Sequence, residues 1–133
     1  TGGASLSATG IAYLSTDRLV FTAHGATASA ASLLMQGDAA LPAGAVFGQG
    51  VRCVGGALKR LYVKVTVAGS MSAPDFDAGD PSVSSRSAAL GDPIAPGQGR
   101  SYLVYYRDPV VLGACSASSA FNATQTGNVT WWL

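Results

Sequence analysis

The sequence contains no glutamate, and only 11% of its 133 residues are charged. Long charged side chains that favour exposed helices are therefore scarce, which predicts little helix. Seven aspartates nearly balance eight lysines and arginines, so no field of one sign is present to attract nucleic acid or an anionic membrane. The apolar runs are short and interrupted by polar residues, so we expect no membrane span.

Cysteine and histidine are almost as rare. The chain has Cys53, Cys115 and one histidine, His24, without a CxxC pair, so a zinc site is not expected. A disulfide between the cysteines would close a loop of roughly 60 residues and restrict the unfolded chain by about 4 kcal/mol, which favours an oxidising, exported location. The alternative is a pair of buried free thiols in a reducing compartment.

Alternation of apolar and polar residues predicts several β-strands. The clearest runs over residues 58–67, where one set of alternating side chains is expected to face the core and the other to face solvent. The core-facing set is Leu61, Val63, Val65 and Val67, and the solvent-facing set is Arg60, Tyr62, Lys64 and Thr66. Further strands are predicted at residues 18–24, 101–107 and 128–133, and the bulky side chains on both faces of residues 101–107 favour a central position for that strand.

Turn-forming residues separate these strands at fairly regular spacing, among them Gly79-Asp80-Pro81 and Gly91-Asp92-Pro93. Short strands at this pitch predict an all-β fold of the sandwich type, Ig-like or pilin-like, formed by residues 1–133 as one domain.

Residues 1–14 differ from the rest in having small alternating side chains between glycines. Ala4, Leu6 and Ala8 alternate with serine and threonine, and beyond Gly10 the candidate donor residues are Ile11 and Tyr13. Such a strand can pair with the edge of its own sheet or with that of a neighbouring molecule, because backbone hydrogen bonds supply affinity in either case. Both arrangements remain open from the pattern alone.

Catalytic chemistry is not indicated. A nucleophilic triad would need His24 beside an activated serine, and the sequence has no G-x-S-x-G elbow. Asp75, Asp77 and Asp80 offer oxygen ligands for a weak Ca²⁺ site, but they lack the spacing of an EF-hand loop and more simply form a turn. We therefore expect no enzyme and no cofactor.

Aromatic residues near the C-terminus admit one binding function. Tyr105, Tyr106 and Trp132 lie on predicted strands, where exposed rings would stack on the faces of sugars. The simpler interpretation is cross-strand packing. The corresponding function is a carbohydrate-binding or surface-anchoring module with glycan partners.

Several short motifs, jointly specific, resemble a β-rich module found at the C-termini of uncharacterised exported bacterial proteins. They are LLMQGDAAL (33–41), FGQGVRCVGGALKRL (47–61), GDPSVSSR (79–86), PGQGRSYLVYYRDP (96–109) and FNATQTGNVTW (121–131). The resemblance covers nearly the whole chain and implies that Cys53 and Cys115 form a disulfide.

The chain also resembles the protomer of extracellular helical fibrils of environmental bacteria, in which each subunit receives an N-terminal strand from its neighbour. This resemblance implies a self-assembling structural subunit at the cell surface, with residues 1–14 as the donor segment. Because the sequence begins at Thr1 without a secretion signal, we expect that any signal or upstream region was either removed by processing or left out of the sequence.

Overall fold

The protein folds mainly as antiparallel β-structure, with one short α-helix in the part of the chain that the structure describes. The computed structural model describes residues 4–47, 50–55, 58–107 and 121–133, with backbone alone at 39–47, 50–55 and 121–123. Its strands are β1 (Ser5–Thr9), β2 (Val20–His24), β3 (Ala31–Gly37), β4 (Ala39–Phe47), β5 (Gly50–Gly55), β6 (Lys59–Val65), β7 (Met71–Ala73), β8 (Gly99–Arg107), β9 (Phe121–Ala123) and β10 (Gly127–Thr130). The helix, α1, is Val83–Ala89. The predicted all-β fold with little helix is confirmed.

The strands form two main sheets and a hairpin. The smaller sheet has the order β1-β2-β7, and the larger has the order β10-β8-β3-β6, with β9 also paired to β8. The hairpin β4-β5 runs close to β3 and β8. β8 occupies a central position in the larger sheet, as the bulk on both faces of residues 101–107 predicted.

The main core lies between the two sheets. β2 contributes one of its two alternating faces, on which Phe21 and Ala23 are buried. The ring of Phe21 packs against that of Tyr102 from β8, with ring centroids 4.6 Å apart. The other buried members of this core are Leu19, Leu34, Leu61, Tyr62, Met71, Ala73, Val83, Val104 and Trp131. A second cluster, on the opposite face of the larger sheet, joins Leu33, Met35 and Leu103.

From Tyr62 onward the inward face of residues 58–67 is the reverse of the predicted one, whereas Leu61 is buried as predicted. Val63, Val65 and Val67 are 73%, 66% and 75% exposed, whereas Tyr62 and Thr66 are buried. The cause is a register shift against β3 that leaves Leu61 as an extra residue: Tyr62 lies opposite Leu34, and Arg60 lies opposite Met35. Because side chains alternate along a strand, one extra residue exchanges the faces of everything that follows it.

Polar groups on the buried face of β6 are satisfied by nearby backbone groups. The Tyr62 hydroxyl donates to the carbonyl of Pro81 at 2.6 Å, and burial raises the pKa of Tyr62. The Thr66 hydroxyl donates to the carbonyl of Thr27 and accepts from the N–H of Ala30, both at 2.7 Å. These bonds remove the penalty of burying two hydroxyls, so the reversed face is stable.

A chain of buried hydrogen bonds crosses the core from the C-terminal segment. The indole Nε1 of Trp131 donates to the Tyr102 hydroxyl at 3.1 Å, and this hydroxyl donates to Oε1 of Gln36 at 2.8 Å. The amide nitrogen of Gln36 then donates to the Ser87 hydroxyl of α1 at 2.8 Å. Burial raises the pKa of Tyr102, so the phenol remains a neutral donor.

The same chain of bonds ends on a charged pair. Gln36 also donates to Oδ2 of Asp92 at 3.1 Å. Both carboxylate oxygens of Asp92 accept from the Arg100 guanidinium, at 2.9 and 2.8 Å, which raises the pKa of Arg100. A bidentate pair of this kind fixes orientation as well as contributing energy.

Helix α1 was not predicted, although the sequence around it carries the appropriate cap. Ser82 is the N-cap and accepts from the N–H of Ser85. Asp17, distant in sequence, accepts from both the N–H and the hydroxyl of Ser84 at 2.7 Å. Burial of Val83 in the core fixes the helix against the sheets. Within the described residues, no helix is long and apolar enough to cross a membrane.

The reversed face of β6 can be tested by making one substitution at two sites. Val63→Thr, at an exposed position, should change the free energy of unfolding by less than about 0.5 kcal/mol. Val104→Thr, at a fully buried position, should cost about 1–3 kcal/mol because it places a hydroxyl in the core. Denaturant unfolding measures both, and equal losses would contradict the assigned face.

Candidate functional site

The candidate site is β1 together with the groups that hold it. β1 is the edge strand of the smaller sheet and pairs antiparallel with β2, with Leu6 opposite Ala23. Leu6 packs against the main core, whereas Ser5, Ser7, Ala8 and Thr9 are exposed. β1 therefore contributes little apolar burial beyond one leucine.

The outer edge of β1 is paired with a side chain. Oε1 of Gln125 accepts from the N–H of Leu6 at 2.9 Å, and Nε2 of Gln125 donates to the carbonyl of Leu6 at 2.7 Å. The primary amide thus makes the two bonds that the facing residue of an adjacent antiparallel strand would make. By the alternation of an antiparallel pair, Ser5, Ser7 and Thr9 direct their backbone groups towards β2.

Gln125 is mounted on the larger sheet. It follows Thr124, which is buried and pairs with β8: the N–H of Thr124 donates to the carbonyl of Val104 at 2.8 Å, and the Thr124 hydroxyl accepts from the N–H of Val104 at 3.0 Å. The Thr124 hydroxyl also donates to the carbonyl of Gln125 at 2.9 Å. Gln125 therefore joins the edge of one sheet to the framework of the other.

A glycine follows β1. Gly10 has φ +91°, and a Cβ placed there would lie 2.6 Å from the carbonyl oxygen of Arg18. Both the left-handed backbone and the close approach demand glycine. Beyond this point the chain is fixed to the body, since the N–H of Leu14 donates to the carbonyl of Trp132 at 2.7 Å and the N–H of Trp132 donates to the carbonyl of Ala12 at 3.0 Å.

The next residues are also held. Asp17 binds the start of α1, and the guanidinium of Arg18 lies 4.9 Å from the centre of the Phe76 ring. The predicted donor segment 1–14 is thus divided in two by Gly10. Ala4 and Leu6 are partly buried and Ala8 is exposed on the β1 side, whereas Ile11 and Tyr13, 60% and 42% exposed, lie on the fixed side.

The three aromatic residues predicted for sugar stacking occupy different environments. Tyr106 is fully buried and has no exposed face, and Tyr105 packs against the second cluster. Trp132 is 56% exposed and pairs through its backbone with Tyr13. The described structure does not assemble these rings into one flat platform.

The acidic turn uses its carboxylates internally. The Asp75 carboxylate accepts from the N–H groups of Asp77 and Ala78, and the Asp80 carboxylate accepts from the N–H of Asp75 at 2.8 Å and from Lys64. Asp80 is therefore paired with Lys64, whereas the nearby Arg86 donates to the carbonyl of Leu61. Among the described residues, no three His, Cys, Asp or Glu side chains converge as metal ligands would.

Two further surface features accompany the site. An open groove of about 700 Å³ lies beside the acidic turn, lined by Arg18, Val20, Ser72, Phe76 and Asp77 among others. His24 is exposed, and its Nδ1 lies 3.0 Å from the hydroxyl of Ser70, which makes it an ordinary surface hydrogen-bonding group.

The structure does not test the predicted disulfide. Cys53 lies on β5 without a described side chain, and Cys115 lies outside the described residues, so their disulfide stays a prediction.

Comparisons of the chain with protein-family models, curated proteins and solved structures found no match.

The residues that hold β1 in place could be identified only from the structure. Gly10 was recognised in the sequence as a flexible flank, but its contact with Arg18 was not. Gln125 carried no sequence signal, because a lone polar residue between two strands is typical of a turn.

The Asp80–Lys64 pair predicts an acid-dependent contribution to stability. The hydrogen bond from Lys64 holds the pKa of Asp80 below its usual value of 3.8. A carboxyl whose pKa is lower in the folded state stabilises the fold above its unfolded pKa, and this contribution disappears as the pH falls through the folded value. Asp80→Asn should therefore cost up to about 1 kcal/mol near neutral pH and nothing in strong acid.

Denaturant unfolding from neutral pH to strong acid measures the difference in the free energy of unfolding between the wild type and Asp80→Asn. Asp77→Asn makes the same charge change in the same turn, where the Asp77 backbone N–H donates to Asp75. This control should show a smaller dependence on pH. A loss for Asp80→Asn that is the same at every pH would contradict the ion pair.

Proposed function

We propose that this protein is a structural subunit of an extracellular filament, assembled by exchange of β1 between neighbouring copies. The observation that carries the proposal is the position of β1: it is an edge strand, it has one core side chain, and it is joined to a fixed body through a glycine. Among the paired strands of the main core, it therefore combines the features that make an element easy to release.

Release of β1 would have two unfavourable consequences. The backbone of β2 facing β1 would lose its partners, and the place of Leu6 in the core would open. A second copy of β1 makes the same hydrogen bonds and fills the same place, so it removes both costs. A head-to-tail exchange that does not close on itself produces a helical filament.

The linkage between β1 and the body is short. Residues from Ala12 onward are held by hydrogen bonds, so rotation is concentrated at Gly10 and Ile11. In the closed form Gly10 must keep its left-handed conformation beside Arg18. A short linker that is strained in the closed form favours exchange of the strand between copies over closure of the strand on its own chain.

An exported location and a Cys53–Cys115 disulfide belong to the same proposal. β5, which carries Cys53, runs close to β8 and β9, the strands that flank position 115 in the sequence. Pairing would therefore connect neighbouring parts of the fold, and it requires an oxidising compartment.

The disulfide has a direct test. Intact mass of the purified protein should increase by two hydrogen atoms on reduction. Unfolding midpoints with and without reductant should differ, since a loop of this size stabilises a domain by about 4 kcal/mol. An unchanged mass would contradict the pairing.

The linker gives the sharpest test of exchange. Gly10→Ala should strain the closed form by about 1–3 kcal/mol, because the Cβ would meet the Arg18 carbonyl and φ is left-handed. In the exchanged form the linker extends and the strain disappears. The ratio of exchanged to closed subunits should rise about tenfold or more. Light scattering at several concentrations and negative-stain electron microscopy measure it.

Gly79→Ala is the matched control. Gly79 also has positive φ, but it lies away from the β1 linker and has no heavy atom within 4 Å of the added Cβ. The Gly79→Ala variant should be less stable than the wild type but should show the same fraction of exchanged subunits. Deletion of residues 1–10 should abolish filaments, and filaments formed by the deletion variant would contradict donation by β1.

A further inference from the structure

We infer that the Gln125 side chain is a latch that sets the rate at which β1 detaches. The inference rests on the proposed exchange for its biological meaning, but the latch itself is a property of the single closed chain. Its evidence is the pair of hydrogen bonds, 2.9 and 2.7 Å long, that one side-chain amide makes to both backbone groups of Leu6.

These bonds hold β1 at its anchoring residue. Leu6 is the β1 side chain that packs against the core, and its backbone is gripped at the same position from outside. A Cβ on Gly127 would stand 3.6 Å from Cδ2 of Leu6, so β10 also lies against this side chain. Detachment of β1 must therefore break the Gln125 bonds and withdraw Leu6 together.

A latch must also be fixed at its other end. Thr124 supplies this anchor through its paired bonds with Val104, and its hydroxyl holds the carbonyl of Gln125. Gln125 thus spans from the larger sheet to the free edge of the smaller one. Loss of its side chain leaves the β1–β2 pairing in place but removes the connection between sheets at this edge.

The latch should affect rates more than equilibria. A β1 strand inserted from another copy presents the same Leu6 backbone groups to Gln125 and recovers the same two bonds. Closed and exchanged forms therefore gain equally from Gln125, whereas the detached state between them gains nothing. Removing the amide lowers the barrier from both sides, since it destabilises the two end states alike.

Amide hydrogen exchange of the full chain, at a concentration where it is monomeric, tests the latch. Gln125→Ala should accelerate exchange of the Leu6 amide and also of the Ser7 amide, whose backbone faces β2, each by about tenfold. Acceleration at Leu6 alone would overturn the inference, because Gln125 would then protect one amide without restraining the strand.

Two further variants isolate the geometry. Gln125→Asn keeps the amide but shortens the side chain by one methylene, so it should behave like Gln125→Ala. Gln98→Ala removes another exposed glutamine, whose Oε1 accepts from the N–H of Ala95 at 2.9 Å, and should leave exchange in β1 unchanged. Equal acceleration by Gln98→Ala would attribute the effect to general destabilisation and overturn the latch.

Transfer of β1 between copies separates this inference from the proposed function. Two batches of filaments, each carrying one of two fluorescent labels, are mixed, and energy transfer between the labels reports the exchange of subunits. Gln125→Ala should increase the rate of this exchange about tenfold, with little change in the final filament yield. If no variant forms filaments, the proposed function fails. The Leu6 and Ser7 exchange rates still decide whether Gln125 is a latch.

Discussion

The buried hydrogen bonds that begin at the Trp131 indole and end at the Arg100 guanidinium hold the body of this protein together. They join the C-terminal segment to β8, β8 to β3, and β3 to α1 and to the loop that carries Asp92. Each member is a partner of the next, so the loss of one leaves another buried and unsatisfied. Because these bonds cross between elements distant in sequence, the larger sheet, the helix and the chain end are expected to open together rather than separately.

β1 lies outside this network, and its bonds are of a different kind. Its contacts with β2 and Gln125 are exposed to solvent, and Leu6 is its link to the core. The small, exposed side chains of β1 add little apolar burial, so the backbone pairing with β2 and the two Gln125 bonds supply most of what holds β1. The structure therefore combines a cross-linked body with a weakly held edge strand, which is the division of stability that exchange of one element requires.

Local sequence patterns were sufficient to predict features that depend on a single strand. The alternation at residues 18–24 predicted the strand that became β2, and the bulk on both faces of residues 101–107 predicted a central strand. The same reasoning failed in β6 because one extra residue, Leu61, reverses the face, and the register with β3 that creates it is a property of two strands. Helix α1 has a local cap at Ser82, but its placement, like the Gln125 contact, depends on partners far away in sequence, Asp17 and Leu6, which no local window contains.

The Gln125 contact also distinguishes the two ways in which β1 can join neighbouring molecules. If a strand from another copy were added to the outer edge of β1, it would displace the Gln125 amide from Leu6, and its new bonds would partly replace bonds that already exist. If β1 is exchanged instead, Gln125 binds the incoming Leu6 as it bound its own, and no bond is given up. The Gln125 bonds at Leu6 therefore disfavour simple addition to this edge, which supports exchange as the route in the proposed assembly.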